Sequence, residues 1–175
     1  MTDRTINVLF LCTGNSARSI MAEAILNTEG AGRFHAFSAG SRPKGEVHPL
    51  ALKTLETMDY PTEGFRSKSW DEFTGPDAPE IDFIITVCDN AAGESCPIMR
   101  GSGRRAHWGV EDPAGVSGTE EQKLRAFAQT ATFLKSRIMA FLNLAQETID
   151  SAGIDTHMKQ IGAMDGATEK STKAI

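Results

Sequence analysis

Short, nearly continuous apolar runs alternate along the chain with stretches whose apolar residues recur at helical spacing. The runs rich in strand-forming residues predict four strands, at Ile6–Leu11, Phe34–Gly40, Ile81–Cys88 and Arg104–Val110. Helical spacing over residues 17–28 and 117–147 predicts two long helices, and Pro49 opens a third. Strands that alternate with helices indicate an α/β fold with a parallel sheet, in which ligands bind beyond the carboxyl ends of the strands.

The domain organisation follows from length and from a change in composition. A chain of 175 residues suits one domain, which we place at residues 1–150. After Asp150 aromatic residues disappear and small or polar residues dominate. We therefore expect residues 151–175 to form a flexible C-terminal tail.

Composition and charge narrow the function classes. A formal net charge of −5 disfavours nucleic acid and anionic membranes as partners, although local donors can still bind a small anion inside a cleft. The absence of a long apolar run predicts no membrane span, and we see no secretory signal, so we expect a cytoplasmic protein. In a reducing compartment the three cysteines are candidates for catalysis, redox cycling or metal binding.

The strongest candidate chemistry lies where the first strand meets the first helix. Cys12 and Arg18 frame a C-x5-R-S pattern that continues to Ser19. Backbone amides of such a loop, together with a helix N-terminus, bind a tetrahedral oxyanion, and the guanidinium can grip two of its oxygens. The same groups favour a thiolate, so we expect the pKa of Cys12 to be lowered. The residues predicted to surround the anion are Thr13, Gly14, Asn15, Ser16, Ala17, Arg18 and Ser19.

The other two cysteines and one acidic residue admit several interpretations. Cys88 and Cys96 are separated by seven small or polar residues, which suits a redox pair in a mobile loop but also two inert thiols. The spacing of these cysteines and His107 does not form a recognised zinc pattern. Asp112 precedes Pro113 in a predicted loop, where it is either a turn residue or a general acid.

These motifs together resemble a known superfamily, the low-molecular-weight protein tyrosine phosphatases, and most closely its arsenate reductase branch. The resemblance covers about residues 5–145 and is carried by FLCTGNSARSIMAE, FSAGSRP, HPLAL, GFRSKSWDEF, ITVCDNAAGESCPI and HWGVEDPAG. It implies a Rossmann-like, three-layer α/β/α fold with a four-stranded parallel sheet.

The resemblance also implies roles for single residues. Cys12 would be the nucleophile toward arsenate, Arg18 the oxyanion clamp and Asp112 the general acid. Cys88 would then attack Cys12 with release of arsenite, and Cys96 would attack Cys88. The Cys88–Cys96 disulfide would be re-reduced by thioredoxin or by glutathione with glutaredoxin. No bound metal or organic cofactor is implied, and we expect a monomer.

Departures from the family pattern bear on the substrate and the electron donor. The Cys88–Cys96 spacing is one residue longer than in the thioredoxin-coupled form, so both electron donors stay open. Ala114 follows the Asp-Pro where eukaryotic-type phosphatases carry an aromatic residue, and Tyr60 is the only tyrosine. Both features disfavour phosphotyrosine as the main substrate. The alternatives are a low-molecular-weight phosphatase acting on phosphotyrosine or small phosphoesters and a non-catalytic oxyanion-binding or redox-sensing module.

Overall fold

A four-stranded parallel sheet forms the centre of the molecule in a computed structural model that describes residues 4–101 and 103–173. The strands are β1 (Ile6–Leu11), β2 (Phe34–Ala39), β3 (Phe83–Thr86) and β4 (Arg104–His107). Their spatial order is β2-β1-β3-β4, and each neighbouring pair is parallel. The predicted α/β fold is confirmed. β1 has the predicted bounds, and the ends of the other strands that differ lie one to three residues inside the predicted bounds.

Seven helices and two 3-10 turns occupy the connections within the described ranges. The helices are α1 (Arg18–Glu29), α2 (Pro49–Thr57), α3 (Asp89–Ala92), α4 (Glu120–Leu142), α5 (Gln146–Ile149), α6 (Ile154–Gly162) and α7 (Glu169–Lys173). The 3-10 turns are Trp70–Phe73 and Pro113–Gly115. In those same ranges no helix is long and apolar enough to cross a membrane.

The core explains why the central strands are apolar without interruption. Successive residues of a strand point to opposite faces of the sheet, yet Val8, Leu9, Phe10 and Leu11 are each at most 1% exposed. Both faces of β1 are therefore covered, as expected for a parallel sheet. Leu11 pairs with Ala39 on one side and Thr86 on the other, so Cys12 follows the centre of the sheet.

The C-terminal segment (residues 151–173) differs from the expected flexible tail. It contains α6 and α7, and Ile154, Met158 and Ile161 of α6 are at most 6% exposed. These three residues recur at helical spacing, which buries one face of a short helix even where polar residues dominate. Arg137 of α4 reinforces the attachment by donating hydrogen bonds to the carbonyl oxygens of Met164 and Asp165. The segment therefore folds against the domain.

Candidate active site

The loop between β1 and α1 forms a cavity of about 230 Å³ at the carboxyl edge of the sheet. Cys12 stands at its base and is only 6% exposed. The cavity is lined by six residues of the predicted loop, namely Cys12, Thr13, Gly14, Ser16, Ala17 and Arg18. Among the described residues, no side chain caps the start of α1 at Ala17, so the first amides of the helix remain available to an anion in the cavity.

Asn15 and Ser19, also expected around the anion, do not line the cavity but hold the loop from behind. Both side chains are fully buried. The Asn15 amide nitrogen donates to Ser19 Oγ at 2.8 Å and to Ser38 Oγ at 3.0 Å, and its Oδ1 accepts from the Lys68 backbone N–H at 2.9 Å. Asn15 has a φ of 43°, a left-handed conformation that asparagine tolerates better than most residues. These bonds fix the curl of the loop.

Three cations and one carboxylate give the cavity its electrostatic character. Arg18, Arg42 and Lys44 line it together with Asp112. Arg18 Nη1 donates to the Val110 carbonyl at 2.9 Å, and its Nη2 lies 3.8 Å from Asp112 Oδ2. The excess of positive charge suits a small anion, because fixed donors in a partly enclosed site act more strongly than in bulk water.

Asp112 reaches the cavity from the loop after β4. Its Oδ1 accepts the Ala114 backbone N–H at 3.0 Å, and its side chain is 50% exposed. A carboxyl group that is held by the backbone and faces both solvent and the cavity can exchange protons with either. The structure therefore brings Asp112 next to Cys12 and Arg18, although Asp112 lies more than 90 residues further along the chain.

A second buried thiol, Cys88, lies beside Cys12. Cys88 follows β3, the strand adjacent to β1, and is 3% exposed. Its sulfur accepts backbone N–H donors from Thr13 at 3.3 Å and from Ala91 at 3.4 Å. A hydrogen bond from Cys12 is the largest influence on Cys88; burial opposes it, but the two amides act with it and lower the pKa of Cys88 to about 5.

The expected low pKa of Cys12 is wrong. Its hydrogen bond to Cys88, followed by burial, raises the pKa of Cys12 well above the ordinary value, although Arg18 acts in the opposite direction. The two sulfurs share one proton and titrate as a pair. The direction of both shifts favours the thiolate at Cys88, which accepts a hydrogen bond from the Cys12 thiol as well as from the amides of Thr13 and Ala91. The sequence of the first loop does not reveal this second sulfur.

Cys96 lies outside the cavity, in the loop after α3. It is half-buried, and its thiol donates to the Pro97 carbonyl at 3.5 Å. Burial raises the pKa of Cys96 despite the opposing influence of Arg105. All three cysteines are free thiols. The structure therefore places Cys88, but not Cys96, next to Cys12.

Glu94, in the same loop, makes contacts with the cavity wall that the sequence did not predict. Its Oε1 accepts from the Thr13 hydroxyl at 3.0 Å and its Oε2 from the Ser41 hydroxyl at 2.5 Å. This carboxylate thus ties the segment between Cys88 and Cys96 to the wall of the cavity. A glutamate in a polar loop carries no sequence signal for such a contact.

Comparisons with known proteins agree with this architecture. The profile of the low molecular weight phosphotyrosine protein phosphatase family matches residues 7–152. An arsenate reductase of Oceanobacillus iheyensis is 36% identical over 138 residues, which cover 77% of this chain and 93% of that protein. An arsenate reductase of Bacillus subtilis is 33% identical over 134 residues, again 77% and 93% of the two chains. A solved arsenate reductase in the phosphate binding state aligns with a TM-score of 0.65 at 29% identity, covering 79% of this chain and 97% of that one.

Proposed function

The chain belongs to the low molecular weight phosphotyrosine protein phosphatase family, and on that premise we propose that it reduces arsenate to arsenite. The observation that carries the proposal is the buried Cys88 beside Cys12 at an anion-binding cavity. Hydrolysis of a phosphoester needs one thiolate nucleophile, whereas reduction of arsenic needs two sulfurs that can join in a disulfide. The names of the related arsenate reductases support the same choice.

In the first step Arg18 and the amides at the start of α1 hold arsenate above Cys12. Cys12 attacks the arsenic atom, so that an S–As bond forms and an As–O bond breaks. Asp112 protonates the departing oxygen, which leaves as water, and the proton released by Cys12 replaces the one that Asp112 gave up. Arg18 acts as the oxyanion clamp and Asp112 as the general acid.

In the second step Cys88 attacks the Cys12 sulfur. An S–S bond forms, the S–As bond breaks and its electron pair stays on arsenic, which changes from the pentavalent to the trivalent state. Each of the two sulfurs is oxidised by one electron. The backbone N–H groups of Thr13 and Ala91 donate to the Cys88 sulfur and favour the thiolate that makes this attack.

Cys96 completes the relay by attacking Cys88, which frees Cys12 and leaves a Cys88–Cys96 disulfide. An external thiol system, either thioredoxin or glutathione with glutaredoxin, then supplies two electrons to reduce this disulfide. Cys96 must first leave its contact with Pro97, so the segment after α3 has to move.

The test compares arsenite formation by wild type, Cys12→Ser, Cys88→Ser and Cys96→Ser with each donor system. We expect no arsenite from Cys12→Ser or Cys88→Ser. The matched variant Cys96→Ser should release one arsenite per chain and then stop as a Cys12–Cys88 disulfide, detectable by mass spectrometry of alkylated peptides. Continuous turnover by Cys88→Ser and Cys96→Ser at the wild-type rate with every donor contradicts the relay.

A phosphatase is the competing function, because the same cavity accommodates phosphate. Hydrolysis of p-nitrophenyl phosphate measures it directly. A phosphatase would hydrolyse this ester efficiently, keep that activity in Cys88→Ser and form no arsenite. We expect the reverse pattern, with arsenite as the main product and slow ester hydrolysis.

A further inference from the structure

The C-terminal segment reaches the neighbourhood of Cys88, although residues beyond 152 lie outside the match to the family profile. The last residues of this segment lie beside the residues that follow the C-terminal end of β4. The Thr168 backbone N–H donates to the Gly109 carbonyl at 3.0 Å, and the Gly109 N–H donates to Ser171 Oγ at 2.6 Å. Thr168 and Ser171 are 6% and 1% exposed, respectively. This part of the chain is thus built into the edge of the sheet where the thiols lie.

Asp89, the residue directly after Cys88, is the point of contact. Its Oδ1 accepts the Thr168 hydroxyl at 2.7 Å and lies 2.7 Å from His107 Nε2. Its backbone carbonyl accepts the Lys170 ammonium at 3.2 Å. Although burial works in the opposite direction, the bonds from Thr168 and His107 lower the pKa of Asp89, which therefore stays ionised at neutral pH.

Gly109 shows how tightly this contact is packed. A Cβ atom at that position would lie 2.6 Å from Thr168 Oγ1, 2.7 Å from Asp89 Oδ1 and 2.7 Å from His107 Nε2. Real Cβ contacts are longer than these distances, so only glycine leaves room for the three side chains to meet. The cluster therefore depends on the main chain coming this close.

The contact between Asp89 and the C-terminal segment matters because α3 is too short to be stable without support from other parts of the chain. A helix of four residues is unstable alone, since the cost of nucleation exceeds the stabilisation from so few hydrogen bonds. One of its amides, that of Ala91, is a donor to the Cys88 sulfur. Any contact that stabilises α3 therefore also holds the Ala91 N–H and the Cys88 sulfur in position.

We propose that Thr168 and Lys170 are positioning residues for the thiol exchange: by holding Asp89 they keep α3 wound and the Cys88 sulfur beside Cys12. The inference rests on the proposed function, because it concerns the step in which Cys88 attacks Cys12. It gives the C-terminal segment a role in the chemistry without contact with the substrate.

The first test removes only the hydroxyl, in Thr168→Val, and restores it in Thr168→Ser. In a Cys96→Ser background, one turnover with arsenate isolates the attack of Cys88 on Cys12. We expect Thr168→Val to slow arsenite release about 3- to 10-fold, with Thr168→Ser close to the parent. Inhibition by phosphate should be unchanged in both variants. Thr132→Val, which removes an exposed hydroxyl from α4, serves as the control.

A second readout needs no arsenate chemistry. In a Cys12→Ala, Cys96→Ser background Cys88 is the only thiol, and the pH dependence of its alkylation gives its apparent pKa. We expect Thr168→Val to raise that pKa by about half a unit or more, because the Ala91 donor is displaced, and Thr168→Ser to leave it unchanged. If wild type forms no arsenite but this shift appears, the proposed function fails, whereas the contact by which Thr168 positions the Cys88 sulfur is still supported.

Lys170→Gln provides a variant at an exposed position that does not threaten folding. Lys170→Gln should slow arsenite release and raise the apparent pKa of Cys88, each by less than Thr168→Val does. The control Lys53→Gln, an equivalent exposed change on α2, should alter neither quantity. Wild-type behaviour of Thr168→Val in both assays overturns the inference. Equal defects in Thr168→Val and Thr168→Ser also overturn it, because packing of the side chain rather than the hydroxyl would then be responsible.

Discussion

Replacing Arg137 by methionine tests how firmly the C-terminal segment is attached to the domain. Arg137 is fully buried. Its guanidinium donates to the carbonyl of Phe133 within α4 at 3.0 Å, and across to the carbonyls of Asp165 at 3.0 Å and Met164 at 2.8 Å. Methionine fills a similar volume but leaves the carbonyls of Asp165 and Met164 without the guanidinium donor.

The expected loss combines two opposing effects. Each hydrogen bond from a charged donor contributes about 1.5–3 kcal/mol, so the two bonds to the C-terminal segment contribute roughly 3–6 kcal/mol. Burial of the charge, which lowers the pKa of Arg137, offsets part of this. We expect a net loss of about 2–4 kcal/mol, which for a chain of this size lowers Tm by about 4–16 °C.

Urea and thermal unfolding measure this loss, with Arg125→Met as the matched control on the same helix. Arg125 is 77% exposed and pairs with Glu121 one turn away, so its replacement should cost less than about 0.5 kcal/mol. Limited proteolysis should cut Arg137→Met, but not Arg125→Met, first within residues 151–173. A stability of Arg137→Met within about 1 kcal/mol of Arg125→Met refutes the reasoning.

Three further changes test the site. Asp112→Asn cannot supply a proton and should lower kcat for arsenate reduction about 10²- to 10⁴-fold; a rate within threefold of wild type would remove Asp112 from the mechanism. Cys12→Ala deletes the thiol that helps to lower the pKa of Cys88 to about 5. As the pH is lowered, the alkylation rate of Cys88 should therefore begin to fall at a higher pH in this variant than in wild type; an unchanged pH profile would show that the two sulfurs are not coupled. In Gly40→Ala the new Cβ would lie 2.4 Å from a backbone carbonyl oxygen of the loop, and phosphate should bind at least about tenfold more weakly, whereas Gly75→Ala, with open space around it, should bind phosphate normally.

The first turn is the part of the site that sequence predicts best, because its determinants are contiguous. A buried strand, the six-residue connection at 12–17 and a helix fix where Cys12 and Arg18 lie with respect to each other. Parallel topology then brings the loop after β4 to the same edge, so the approach of Asp112 to Arg18 follows from the order of the elements.

Electrostatics between loops was harder to predict. The charge of the thiol pair depends on amides from Thr13 and Ala91, which meet at Cys88 only in the folded chain. From the loop sequence alone, the neighbouring arginine and the helix N-terminus favour ionisation of Cys12. The order is reversed because Cys12 donates a hydrogen bond to Cys88 and is buried, whereas Cys88 also accepts two backbone amides.

The sequence predicted a flexible C-terminal tail because that prediction rested on the low apolar content of the segment. Composition does not show which backbone carbonyls accept hydrogen bonds from other parts of the chain. Three apolar residues of α6 are enough to bury one face of so short a helix, and a charged residue in a distant helix, Arg137, binds the carbonyls that follow it. Neither the polar composition of residues 151–173 nor Arg137 considered alone predicts the hydrogen bonds between them.

The hydrogen bond from Arg18 to the Val110 carbonyl has a consequence for selectivity. It holds the guanidinium, which is only 14% exposed, in place before any anion arrives, so little side-chain freedom is lost on binding. We expect such a prearranged cavity to accept phosphate and arsenate alike, because both present the same oxygens. Competition from phosphate is therefore expected wherever phosphate is abundant, and discrimination falls to the step after binding, since thiols reduce pentavalent arsenic but not pentavalent phosphorus.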